Sequence, residues 1–188
     1  MEAYRSILVH MDASPRCAVR LALARQLARE HDAAAVLAML ALEPHPVPEP
    51  LPTDLGMPVF RSEVDPDHRR RARDTFDVAL GTGDPAMTWV ELPVPPLWGM
   101  VQASHYVDLM VLGQHDPEDA LTRDVPREFV ESVVMESGKP ALVIPYAGRF
   151  DGVGRNVLVA WNRVRELLLG STTRTVLRSM TLPVLLAR

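Results

Sequence analysis

The chain has 188 residues, a length that suits one domain and is short for two full ones. Apolar residues make up 47% of it and the formal net charge is −4, so a sizeable core is available and non-specific binding to nucleic acid or anionic lipid is disfavoured. One cysteine, Cys17, excludes an internal disulfide framework, no signal-peptide pattern opens the chain and no apolar run approaches a membrane span, so a cytoplasmic protein is expected.

The first element is the run Ile7-Leu8-Val9-His10-Met11-Asp12, whose almost continuous apolarity suits a strand buried on both faces of a parallel sheet. Ser14-Pro15 follows as an N-cap with proline at the first helical position. A helix then runs from about Arg16 to His31, with Leu21, Ala24, Leu27 and Ala28 facing inward and Arg20, Arg25, Arg29 and Glu30 assigned to solvent. Residues 34–42 read as the second strand. Six prolines between positions 44 and 58 exclude a regular helix or central strand there, and an extended, polyproline-like loop is expected.

Asp67 to Leu80 is the second helix, ended by Gly81 and Gly83, and Met87 to Leu92 the third strand. Pro95-Pro96 opens a short helix reaching about Tyr106, Asp108 to Gly113 is a fourth strand, and Gln114 to Asp124 a polar loop. Pro126 to Ser137 is a helix broken at Gly138, and Pro140 to Ile144 a fifth strand. Alternating strands and helices imply parallel pairing through right-handed crossovers. The fold class expected is therefore α/β: a three-layer α/β/α sandwich on a five-stranded parallel sheet, occupying residues 1–150. Ligands in such folds bind at the carboxyl ends of the strands, where the strand order reverses. Asp12, the loop after Leu42 and Gly113 lie on that edge.

Residues 151–188 read as the remnant of a second, shortened copy. Asn156 to Asn162 echoes Ser6 to Asp12 at an offset of 150 residues, and Arg174 to Leu186 echoes Glu131 to Val143 at an offset of 43. The copy keeps only a first strand, a last helix and a last strand. So short a segment cannot bury enough surface to stand alone. It must dock elsewhere, and the free edge of the fifth strand is the natural acceptor. A sheet of about seven strands is expected, its last strand antiparallel to the fifth.

Four segments carry a family resemblance: Ile7 to Ser14, Val111 to Asp116, Gly138 to Pro145, and above all Arg165 to Leu177. Together they resemble the universal stress protein family, in the manner of a tandem member with a truncated second repeat. The resemblance implies an adenine nucleotide alpha hydrolase-like fold, homodimers paired through the last strand, frequent but not universal ATP binding, and a role in stress resistance and regulation, with a regulatory protein partner as a candidate, rather than a defined reaction. It places Asp12, with Ala13 and Ser14, at the adenosine end of a nucleotide site, and Gly113 at the first glycine of a phosphate motif of the form Gly-x-x-Gly, nine residues, Gly-Ser/Thr. Such glycines let backbone N–H groups approach phosphate oxygens. The second position of the motif is Asp116, a carboxylate where phosphate oxygens would lie, and residues 117–130 contain no glycine. The tail retains the other half as Gly170-Ser171-Thr172. The expectation is a non-catalytic, stress-response or regulatory module with a degenerate ATP site and at most weak ATP binding as its cofactor chemistry. The alternative is an ATP-binding module using Asp12 and Gly170-Ser171-Thr172.

Each candidate has a plainer reading. Asp12 could be a capping carboxylate, Gly113 a strand-end glycine at positive φ, and Ser171, Thr172 and Thr173 helix caps. His10 reads as a core or sheet-end histidine, His115 beside Asp116 as solvated loop, and Cys17 as inert packing. The run Arg69-Arg70-Arg71-Arg73 has Asp65, Asp67, Asp74 and Asp77 around it, which makes it a solvated helix face rather than a nucleic-acid patch. No metal-ligand spacing, nucleophile elbow or P-loop is present, and a slow nucleotide hydrolase lacks the base and cationic clamp it would need.

Overall fold

A computed structural model describes residues 4–48, 60–80, 86–150, 152–153 and 171–186, with 171–174 described through the backbone alone. The strands are β1 (Ser6–Met11), β2 (Ala35–Leu40), β3 (His45–Pro48), β4 (Phe60–Glu63), β5 (Met87–Val90), β6 (Leu109–Gly113), β7 (Ala141–Ile144) and β8 (Val184–Leu186). The helices are α1 (Arg16–Glu30), α2 (Pro66–Leu80), α3 (Pro96–Ser104), α4 (Phe129–Ser137) and α5 (Ser171–Ser179).

The main sheet has the order β5-β2-β1-β6-β7-β8. The first five strands are parallel and β8 runs antiparallel to β7, pairing Ala141 with Leu186 and Val143 with Val184. Strand order reverses between β1 and β6, so the carboxyl ends of those two strands frame the crevice in which this kind of sheet binds ligands. The antiparallel pairing of the last strand on the fifth parallel one agrees with expectation. The further strand expected over residues 156–162 lies outside the described residues.

Both faces of the sheet are covered, which is why its strands are apolar at nearly every position. Ile7, Val9, Val111 and Ile144 turn toward Leu21, Ala24 and Leu27 of α1 and Phe76 of α2. Leu8, Met110, Leu112 and Val143 turn toward Met100 of α3, Phe129 and Val133 of α4, and Leu177 and Met180 of the tail. The tail is thus part of the core: Leu177 is buried, Gln114 Nε2 donates to its carbonyl at 2.8 Å, and Arg178 lies 3.7 Å from the buried Glu131 carboxylate. Burying Leu177 and Met180 stabilises the docked tail by roughly 1.5–3 kcal/mol per side chain, one contribution beside the β7–β8 pairing and the Gln114 bond.

The Pro-rich segment differs from the extended loop expected. Its two ends pair as an antiparallel ribbon, with His45 opposite Glu63 and Pro48 opposite Phe60. Pro46 and Pro48 sit in β3, where a two-stranded ribbon has an outer edge that needs no N–H donor. Residues 49–59 lie outside the described residues.

Candidate functional site

The crevice at the β1 and β6 carboxyl ends is occupied by a buried polar cluster of the chain's own making. α1 starts directly after the loop that leaves β1, and residues 17, 20, 21, 24, 27 and 28 share its inward face. Arg20 is on that stripe. It is 1% exposed and heads the fully buried side chains by volume, whereas its charge had assigned it to solvent. Three acceptors explain the burial. Arg20 Nη2 lies 2.8 Å from Asp12 Oδ2, Nε donates to the His10 carbonyl at 2.9 Å, and Nη2 also reaches Cys17 Sγ at 2.8 Å. A buried charge survives only when paired and hydrogen-bonded in this way.

Asp12 is 3% exposed and its other oxygen is also taken. Oδ1 accepts from the Ser14 amide at 2.8 Å and the Ser14 hydroxyl at 2.6 Å. Burial alone would raise the Asp12 carboxyl, but Arg20, His10 and the Ser14 bonds outweigh it and hold the pKa down at about 2. Burial works against the Arg20 charge as well, but Asp12 and Cys17 overcome it and keep the guanidinium protonated. Ser14 is therefore not the N-cap of α1: its hydroxyl is spent on Asp12, the capping position falls on Pro15, and no side chain caps the helix. Ala13 is buried between them.

Gly113 closes the cluster from β6. Its φ is not positive, so the strand-end turn reading does not hold. Its role is space: a Cβ at this position would run into Arg20, with the guanidinium carbon at 2.8 Å. Asp12, Ser14 and Gly113 are thus brought together, and what they surround is Arg20. Gly170 lies outside the described residues, and Ser171 and Thr172 are described only as backbone in the first turn of α5.

Two neighbours complete the cluster. His10 is fully buried beneath Phe129, with ring centroids 4.7 Å apart, and neither ring nitrogen makes a hydrogen bond of good geometry among the described residues. Burial first, and the Arg20 charge second, lower its pKa to about 4, so the ring is neutral at physiological pH. Burial pushes the Cys17 thiol up, with Arg20 opposing too weakly to reverse it, which leaves an unreactive thiol as expected.

Beyond β6 the polar loop folds back on itself. Asp116 Oδ1 accepts from the Glu118 amide at 3.0 Å, and the Thr122 hydroxyl donates to the Asp116 carbonyl at 2.6 Å. Two shallow hollows of about 290 and 300 Å³ share His115, Pro117 and Arg127, and the second is walled by Leu177 and Arg178 of the tail. Burial, then the Arg127 charge, lower the His115 pKa. The basic run on α2 is a solvated, paired face: Arg69 meets Glu91, Arg70 meets Asp67 and Arg73 meets Asp77. Sequence reasoning missed Arg20 and Gln114. Arg20 had a usable signal, its helical spacing from Cys17, Leu21 and Ala24. Gln114 had none, since its amide bridges the Tyr146 N–H and the Leu177 carbonyl, which only the folded chain brings together.

The ion pair yields a stability prediction. Arg20→Met leaves Asp12 buried without its cation and should cost about 3–5 kcal/mol. The double variant Asp12→Asn with Arg20→Met removes both charges and should cost less than the single one, as read by urea unfolding at neutral pH. His10 yields a second. The unfolded state binds a proton near pH 6.5 and the folded state only near 4. Stability therefore rises with pH through that window, and it falls by about 3 kcal/mol from its upper to its lower end. His10→Phe should flatten the slope of unfolding free energy between pH 6.5 and 4. Loss of the Asp12 contribution begins lower, as pH falls from 3.8 toward 2.

No family model matches the chain, and no curated protein matches it. Among solved structures, the chain is similar to a universal stress protein crystallised in complex with cAMP, at 18% identity and a TM-score of 0.50, over 76% of this chain and 97% of that one. It is also similar to a universal stress protein from Archaeoglobus fulgidus, at 16% identity and a TM-score of 0.48, over 75% of this chain and 93% of that one. Among the described residues no helix is long and apolar enough to cross a membrane. The first of these likenesses shows an architecture: this chain has the α/β fold of a universal stress protein.

Proposed function

We propose that the chain is a universal stress protein-like regulatory module, non-catalytic, whose nucleotide site has been replaced by an internal ion pair. The observation that carries this reading is the Arg20 guanidinium, buried against Asp12 Oδ2 and packed over Gly113. The carboxylate that would face an adenosine is satisfied on both oxygens within the chain. Displacing Arg20 would strand a buried charge at a cost of several kcal/mol, and a ligand would have to supply at least that much. Asp116 adds a like charge where phosphate oxygens would approach. The segments that resemble the family support the stress-response assignment. The chain then works by contact with a regulatory protein partner rather than by turnover, in the cytoplasm, without nucleic acid or membrane.

Calorimetric titration of nucleotide-stripped protein tests the site. Neither Mg-ATP nor cAMP, the ligand of the solved protein above, should give saturable heat at millimolar concentration. Saturable micromolar binding of ATP, weakened by Asp12→Ala or Ser171→Ala, would establish the ATP-binding alternative instead.

A homodimer through the last strand is part of the same proposal. β8 takes the edge of β7, so pairing runs through the outer edge of β8. Sedimentation velocity should show a concentration-dependent dimer that Leu185→Pro abolishes. A monomer at every concentration would reject the pairing and leave the tail as a stand-in for a partner strand.

A further inference from the structure

Away from the crevice, Asp65, His68 and Asp124 bring their donor atoms together, and His45 hydrogen-bonds to Asp124 through its other oxygen. Asp124, at the end of the loop that follows β6, has no solvent exposure of its side chain. Its Oδ2 lies 2.6 Å from His68 Nδ1, in the first turn of α2, and its Oδ1 lies 2.8 Å from His45 Nε2, the first residue of β3. Asp65, just ahead of α2, completes the group: one donor atom each from Asp65, His68 and Asp124 fall within 4.8 Å of one another. These residues are 56 and 79 positions apart along the chain, which is why no ligand spacing appears in the sequence.

We propose that Asp65, His68 Nδ1 and Asp124 form a binding site for a divalent transition-metal ion, zinc in the first instance, with His45 turning in from the second Asp124 oxygen as the fourth ligand. Two imidazoles and two carboxylates are a donor set that zinc accepts in tetrahedral geometry. Ligand atoms around such an ion stand about 3.3 Å apart for metal–ligand bonds near 2.0 Å. The His68–Asp124 contact needs to open by about 0.7 Å from its hydrogen-bonded distance, and His45, which meets the other Asp124 oxygen, has to turn toward the ion.

The surroundings hold the ligands in place. Asp65 Oδ1 accepts from the Asp67 and His68 amides at 2.9 and 3.2 Å, which orients Oδ2 toward the cluster. The Glu43 amide donates to the Asp124 carbonyl at 2.7 Å, tying the approach to β3 to the same loop. His68 is buried, whereas the His45 side chain is 52% exposed, so the site is closed on the core side and open on the other, which provides a path of entry. In the present arrangement a cation already bridges the two carboxylates: Arg123 Nη2 lies 3.1 Å from Asp65 Oδ2 and Nε lies 3.4 Å from Asp124 Oδ1. The Arg123 side chain is 62% exposed and free to swing into water when a metal ion takes its place. The ion would fasten the Pro-rich ribbon to α2 and to the loop after β6, a structural clamp independent of the crevice at β1.

Tag-free, EDTA-treated full-length protein titrated with zinc chloride tests the assignment, with cobalt(II) absorption as a second readout. The expected result is saturation at one equivalent, a higher Tm with zinc, and a tetrahedral cobalt spectrum. His45→Gln, a change at a half-exposed side chain that leaves the core intact, should weaken binding at least tenfold. Arg123→Gln should tighten it several-fold by removing the competing cation. If zinc does not saturate at one equivalent, or if both variants bind it as the unmodified chain does, the cluster is a hydrogen-bonded clamp only and the metal site is wrong.

Discussion

The buried pair of Asp12 and Arg20 is the constraint around which the edge of this sheet is arranged. A guanidinium enclosed by protein needs several acceptors at fixed positions, and the chain supplies them from the end of β1 and the first turn of α1. The consequences spread outward. Ser14 is drawn off the helix terminus to serve Asp12, α1 starts without a side-chain cap, and position 113 must be glycine for the guanidinium to lie over β6. The His10 ring beneath stays neutral, first because burial disfavours its charged form and then because the Arg20 charge lies beside it. One side chain thus couples β1, α1 and β6 at the place where parallel α/β sheets open to ligands.

Most of the frame was legible because burial on both faces leaves a strong imprint. β1, β6 and β7 read as apolar runs with no alternation, and α1 read as a stripe of Leu21, Ala24, Leu27 and Ala28. Arg20 was misassigned because residue type overruled position. Its spacing from Cys17, Leu21 and Ala24 placed it inward, and only the cost of burying a charge argued otherwise; Asp12, eight residues earlier, removes that cost. The β3–β4 ribbon was lost for a different reason. Proline forbids a strand with neighbours on both sides, but a ribbon of two strands leaves each with an open edge. Of the candidate residues Asp12, Ala13, Ser14, Gly113, Gly170, Ser171 and Thr172, the first four lie together around a further residue, Arg20, whose place the residue types did not reveal.

The tail shows how a segment too short to fold becomes a structural part. Leu177 of α5 and Met180 just after it join the core beside α4, and β8 adds three residues to the edge of β7. Neither element has a hydrophobic interior of its own; each borrows one. Covering β7 moves the unpaired edge of the sheet outward to the three residues of β8. Gln114 links this event to the crevice, because its amide accepts from Tyr146 after β7 and donates to Leu177 in α5, one residue beyond Gly113.

Internal occupancy follows from these contacts taken together. The β1 carboxyl edge is filled by Arg20, the β6 edge is bridged to the tail by Gln114, and the β7 edge is covered by β8. In each case a side chain or strand of the same molecule stands where this architecture usually offers a surface to something else. A ligand or partner strand that sought those positions would have to break contacts already made, and the largest of these is a buried, fully paired charge.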